Sequence, residues 1–356
     1  EGITIGPRGG LDIGGSFVAT TADAIQFDDQ GIFSTENIND DPALLTVAPS
    51  AFLFTQDTPQ PIVNQSLAPN PALPFLIDGL RLQEGKSLIL LGGDVIFERD
   101  PNSFRVDLPV RVPGGRIELG GVGSSSVVGL GVDGDTLSLS YADNALLADI
   151  IINDADINVS GISNDRAGDI TVNANSLSVN ASALLSETSS VENAGNIFIR
   201  ADDSVTIEDG SSIDSVSSGT GTGGSIEVIA GEISLSDDSG LSVATRDMGN
   251  AGIIFLDAET ISLDSGSTLR SDADSFGEAV GNVGAIQIQA NVLSLNDGST
   301  ISIVTTGEAV NTEASGVLQI EAQNTVFLSD GSSISSETLG QANASNVEIS
   351  TAALFV

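Results

Sequence analysis

Aliphatic and polar residues alternate along most of this chain in short runs that return at a near-constant interval. A small residue opens each run: "GDITV" from Gly168, "GNIFI" from Gly195, "GSIEV" from Gly224, "GIIFL" from Gly252, "GAIQI" from Gly284, "GVLQI" from Gly316 and "SNVEI" from Ser345. Successive starts lie 27 to 32 residues apart. About ten residues further on a second run follows, as in "VTIEDGSSI" from Val205, "ISLDSGSTL" from Ile261, "LSLNDGSTI" from Leu293 and "VFLSDGSSI" from Val326. A two-residue period is that of a strand with one buried and one wet face. Ile286, Ile288, Leu293, Leu295, Ile301 and Ile303 are thus expected to point inward, and Gln287, Ser294 and Ser302 outward.

Between the second run and the next inward residue stands an acidic-glycine-serine turn: "EDGSSI" from Glu208, "NDGSTI" from Asn296, "SDGSSI" from Ser329, and the degenerate "SDDSGL" from Ser236. Glycine reaches the positive φ of a sharp corner without a Cβ penalty, and Asp and Ser side chains bond nearby backbone. Each unit is too small to bury its own apolar face, so neighbours must stack to make a core. Strand alternation, glycines and β-branched residues argue against helical repeats of similar length. The expected fold is all-β: a right-handed parallel β-helix, that is, a solenoid of coils about 27–32 residues long.

The first 160 residues are less regular. Seven of the eleven prolines fall between Pro42 and Pro74 (Pro42, Pro49, Pro59, Pro61, Pro69, Pro71, Pro74). Proline removes a ladder hydrogen bond, so a proline-rich extra-helical excursion is expected at about residues 40–80. Residues 1–130 read as an amino-terminal β-helix region carrying that appendage, and 131–356 as the repetitive coils. "GGVGSSSVVGLG" from Gly120 reads as turn-rich coil, since no Lys-Ser/Thr follows its glycines as in a phosphate loop.

Charge narrows the partners. With 49 acidic and 11 basic residues the formal net charge is −38, which repels phosphate backbones and excludes nucleic acid. Cysteine is absent, consistent with export as an unfolded thread, which a disulfide-closed loop would obstruct. No apolar run reaches the roughly 18–20 residues of a membrane-spanning helix. The chain begins at Glu1 without a signal peptide, as a mature product or a fragment would.

Candidate chemistry is sparse. Asp202 and Asp203, Asp237 and Asp238, and Asp272 and Asp274 are the acidic groupings from which a polysaccharide-degrading enzyme on this fold would draw an acid–base pair. They read instead as solvated corners, for the chain has no histidine and only Arg200, Arg246 and Arg270 supply positive charge after residue 170. "GVDGDTLSL" from Gly131 has some of the flavour of a calcium-binding β-roll but not its nonapeptide repeat. Thr305, Thr306 and Thr312 do not repeat as an ice-binding ladder, and the sequons at Asn64, Asn158, Asn180 and Asn343 matter only in a glycosylating host. No catalytic, cofactor-binding or metal-binding residue is assigned, and no cofactor is expected.

Three motifs carry a resemblance. "LDIGGSFVATTADAIQF" (11–27), "SLILLGGDV" (87–95) and "PGGRIELGGV" (113–122), in that order around a proline-rich interval, resemble the large exoproteins of filamentous-haemagglutinin type, particularly their cyanobacterial members. The resemblance covers about residues 1–130. It implies two-partner secretion: passage through a dedicated outer-membrane transporter, folding outside into a right-handed β-helix, and a role at the cell surface in adhesion, aggregation or matrix building. It also implies that most of the secretion domain is absent, because "EGITIGPRGG" sits where the latter part of that domain would be. Expected partners are the transporter during export, surface glycans or neighbouring cells, and other copies end to end.

Overall fold

The computed structural model describes residues 2–34, 47–69, 79–99, 108–161, 166–247, 249–273, 281–306, 316–339 and 344–356. Pro42, Pro71, Pro74, Asp274, Thr312 and Asn343 lie outside them. Every regular element among the described residues is a strand.

Two parallel sheets form the walls of the solenoid. In the second, nine strands follow one another from Leu80–Arg81 and Leu108–Arg111 through Gly240–Thr245 to Ser333–Thr338, in the order in which the chain makes them. The first sheet is longer. From residue 169 onward the two runs of a repeat join into one bent strand, as in Asp169–Asn180, Ile197–Glu208, Ile253–Leu263 and Ala285–Leu295, except in one coil where Ile226–Ile229 and Glu232–Leu235 stay separate. The register slips at the bend, between Ala174 and Ser176 and between Ala290 and Val292. Such an irregularity lets a strand turn while its ends stay paired on both sides.

The inward columns match the alternation. Ile286, Leu293, Leu295 and Ile301 have no exposed surface and Ile288 and Ile303 only 1%. Gln287, Ser294 and Ser302 are partly exposed. These aliphatics belong to one continuous core running the length of the stack.

The corners hold more than a glycine. Two successive residues take positive φ: Asp209 and Gly210 (57° and 69°), Asp297 and Gly298 (49° and 75°), Asp330 and Gly331 (51° and 82°). The degenerate copy does the same with Asp237 and Asp238 (56° and 60°), the acid standing where its neighbours have glycine. Corners are tied to each other: the Gly210 N–H donates to Asp237 O at 2.8 Å, Gly266 to Asp297 O at 2.9 Å and Gly298 to Asp330 O at 3.0 Å. The serine that follows is buried at three of these corners, as Ser211, Ser239 and Ser299. Ser211 Oγ donates to Glu208 O at 2.5 Å and accepts from the Ser182 N–H of the preceding coil at 3.1 Å, which satisfies backbone groups that would otherwise be stranded at the turn. At Gly298 an added Cβ would touch nothing within 4 Å, so Gly298→Ala tests the backbone alone. It is expected to lower stability by about 1 kcal/mol, read as a shift in urea midpoint with unchanged slope.

The amino-terminal third departs from the regular pattern. A five-stranded antiparallel sheet lies against the outer face of the first coils, in the order Thr136–Ser140, Ser126–Asp133, Ala51–Phe54, Ala24–Phe27, Gly31–Ser34. Residues 126–133, read from the sequence as turn-rich coil, are therefore an antiparallel hairpin strand, paired Asp133 to Thr136 across Gly134. The proline interval does not leave the coil as one block either. Ala51–Phe54 is in the appended sheet, whereas Ile62–Asn64 is a rung of the solenoid between Ile3–Ile5 and Val95–Phe97. Pro59 and Pro61 both precede that rung, where no ladder N–H is asked of them.

Candidate functional site

The three motifs of the amino-terminal region converge on the seat of the antiparallel sheet. Ser87–Gly92 is buried on both faces: Leu88 and Leu90 enter the solenoid core, while Ile89 and Leu91 pack with Phe52, Phe54, Val128 and Leu130 of the appended sheet. That double burial explains an unbroken apolar run in a chain that elsewhere alternates. Asp23 fixes the other side. Its Oδ2 accepts from the Thr55 N–H (2.7 Å) and hydroxyl (2.8 Å), and its Oδ1 from Gln56 Nε2 (2.6 Å). Burial alone would raise its carboxyl, but the bonds from Thr55 and Gln56 outweigh that and hold it below the ordinary value.

Next to this lies a buried polar cluster. Arg116 Nε donates to Glu118 Oε1 at 2.6 Å, and the Leu139 N–H of the hairpin donates to Oε2 at 2.7 Å. Arg116 also reaches Thr171 Oγ1 on the following coil at 2.9 Å. Glu118 is 1% exposed, and burial pushes its carboxyl above the ordinary range despite the charge of and bond from Arg116. The Tyr141 hydroxyl, buried above Gly120, is pushed up by burial and then by the Glu118 charge. Lys86 Nζ pairs with Asp135 Oδ2 at 2.6 Å, pinning the hairpin tip to the coil. The cluster is thus a clamp between appended sheet and solenoid.

Open space lies further along. At the bend of the first sheet, Ala258, Ala290 and Ala322 stack in register and form the floor of a groove of about 690 Å³. Asp257, Gln289 and Glu321 rise in register along one wall, and Glu259, Asn291 and Gln323 stand along the other. Three carboxylates that accept and three amides that both donate and accept, set at the coil spacing of about 4.8 Å, suit a hydroxyl-rich polymer lying along the stack. The alanines carry this geometry, and nothing about a lone alanine in a repeat signals it.

The acidic groupings are divided among faces. Asp202 and Asp203 are exposed beside the bend, Asp202 within 3.5 Å of Arg200. Asp237 and Asp238 are corner residues. Asp272 is on the second sheet, and it borders a separate trough together with Asp238 and with Asp214, a residue that no pattern in the sequence singles out. Thr305 is buried, and so is the sequon Asn64. The Gly131–Leu139 segment forms the antiparallel hairpin.

A stack of in-register coils with a separately folded sheet clamped over its first turns defines a capped β-solenoid. Residues 1–172 match the family model of the TPS secretion domain. That match, over 172 of the 356 residues, supports a two-partner-secretion exoprotein and indicates a secreted protein. The match extends past residue 130, where the resemblance of the three motifs ended. The crystal structure of the HMW1 secretion domain from Haemophilus influenzae is similar in fold, with a TM-score of 0.61 at 18% identity over 98% of this chain and 77% of that one. None of the curated proteins matches the chain in sequence. A TPS domain implies interaction with an outer-membrane transporter and belongs to no known class of enzyme.

Proposed function

We propose that this exoprotein is a non-catalytic adhesin or matrix scaffold of the cell surface, whose coils beyond about residue 130 present polar ladders to glycans. The groove at the bend carries this reading. Its walls repeat hydrogen-bonding side chains from coil to coil over a flat alanine floor, which favours many weak contacts with an extended polymer over one tight contact. The test is incubation of the purified chain with bacterial and algal polysaccharides, scoring retention and polymer length together. Intact polymer is expected to be retained. Gln289→Ala combined with Asn291→Ala is expected to weaken retention by about fivefold for each hydrogen bond lost, at about 1 kcal/mol per bond. Shortened polymer would overturn the non-catalytic reading.

End-to-end self-association is the second reading. The strand Asn346–Phe355 leaves Val347, Ile349, Leu354 and Phe355 exposed, and the first three are in register with the buried Leu318, Ile320 and Val326. Concentration-dependent rods in electron micrographs, with no polysaccharide retained, would favour it.

A further inference from the structure

The strand Gly240–Thr245 turns Gly240, Ser242 and Ala244 outward, three of the smallest residues a strand can present. Its neighbours carry larger groups at the same registers. Asp214 and Arg270 flank Ser242, and Val216 and Asp272 flank Ala244. One coil is thereby sunken between two, leaving a trough of about 410 Å³ on the outer face of the second sheet. Strands two apart are separated by roughly 9.6 Å, a width that takes one ring and not a bundle of chains. A side chain at Gly240 would meet Thr268 Oγ1 at 2.7 Å, so that end of the floor stays low.

Charged groups of both signs meet at this place. Arg270 Nη2 pairs with Asp272 Oδ2 at 2.6 Å, and Asp272 is 8% exposed. Arg246 stands at the end of the sunken strand and acts on the charge of Asp214, whose carboxyl burial holds above its ordinary value. Only three basic residues follow residue 170 in the sequence, and two of them border this trough. In a chain of net charge −38, the trough is where two arginines stand against three carboxylates, Asp214, Asp238 and Asp272, so that little net charge remains. Fixed donors and fixed acceptors with little net charge between them match a ligand that has both and carries no charge of its own. An anionic ligand would meet the three carboxylates and the field of the whole chain, and a cationic one the two guanidinium groups.

We propose that the trough binds a single uncharged sugar residue of a polysaccharide, its vicinal hydroxyls donating to the carboxylates of Asp214 and Asp272 and accepting from Arg246 and Arg270. The site is separate from the groove at the bend but rests on the same reading, that the coils bind glycans.

Retention of the full chain on immobilised dextran, mannan and xylan, with alginate as the anionic comparison, tests it. Two variants are run beside the wild type: Ser242→Tyr, which fills the trough, and Arg246→Ala, which removes an exposed guanidinium without touching the core. At least one neutral polymer is expected to retain the wild type, and both variants to weaken that retention at least tenfold with unchanged thermal melting. Should Ser242→Tyr fail to fold, Arg246→Ala decides alone. Equal retention of wild type and variants sinks the trough while leaving glycan binding at the groove intact. Retention by alginate alone overturns the uncharged-sugar assignment, and retention by no polymer removes both this site and the adhesin reading.

Discussion

Gly252→Ala is expected to cost at least about 3 kcal/mol, several times the cost of Gly298→Ala, although the two substitutions are chemically identical. Gly252 has no positive φ, so backbone strain is not the reason. It belongs to a column in which Gly115, Gly168, Gly195, Gly224, Gly252, Gly284 and Gly316 stack coil upon coil. From Gly168 on, a Cβ on each would overlap the carbonyl oxygen of the glycine before it, and at Gly252 the carbonyl carbon of Gly224 would also lie only 2.6 Å away. The obstacle is backbone, in the links that lead into the strands Ile226–Ile229 and Ile253–Leu263, not the end of a flexible side chain. Relief therefore requires spreading two coils, which breaks ladder hydrogen bonds and opens the core where Ile226 and Ile254 are paired. Because a solenoid's stability is a sum over neighbouring units, the damage should be local. Hydrogen exchange should show lost protection in the strands Ile226–Ile229 and Ile253–Leu263, with the amino-terminal coils little changed. A Gly252→Ala protein whose urea midpoint matches that of Gly298→Ala would show that the column tolerates a methyl group.

Glu118→Ala is expected to lower stability by about 3 kcal/mol, because it leaves Arg116 without its nearest carboxylate and the Leu139 N–H without an acceptor beneath the appended sheet. Faster proteolysis in the hairpin Ser126–Ser140, measured before global unfolding, would place the loss at the clamp. The pH dependence follows from the direction of the shift. Burial raises the folded-state pKa of Glu118 above its ordinary 4.5, so the folded protein binds that proton more tightly than the unfolded chain. Stability from this group is complete below about 4.5 and falls as pH rises through the folded value. The advantage of the wild type over Glu118→Gln should therefore be larger at pH 4 than at pH 7. An advantage that grows with pH would mean that the Arg116 charge outweighs burial and that the carboxyl is lowered instead. Asp23 acts with the opposite sign, its contribution being lost as pH falls below its ordinary 3.8.

The coils were legible from single residues because the parallel stack repeats one local rule. Ile286, Ile288, Leu293 and Leu295 alternate with polar neighbours whatever coil lies above or below, and the turn at Asp297-Gly298 needs only its own backbone. The amino-terminal motifs were legible in a different way, as a resemblance. Their physical sense, the double burial of Ser87–Gly92 and the Arg116–Glu118 clamp, depends on strands distant in sequence, Ala51–Phe54 for the first and, for the second, the strand of Leu139, which lies 21 residues from Glu118. Residues 126–140 show the limit. Their alternation suits a parallel rung or an antiparallel hairpin equally well, because side-chain period does not depend on strand direction, and pairing with Ala51–Phe54 settled the matter. The candidate binding surfaces were least visible of all. A groove floored by Ala258, Ala290 and Ala322, and a trough made where Gly240, Ser242 and Ala244 fall between Asp214 and Arg270, consist of residues some thirty positions apart that carry no signal singly. By itself, then, the sequence determined the period, the inward columns, the corners and the acidic surface, all of which are properties of one coil. Tertiary structure alone decided the strand directions of the appended sheet and the shape of the outer faces, because both arise from what one coil places beside the next.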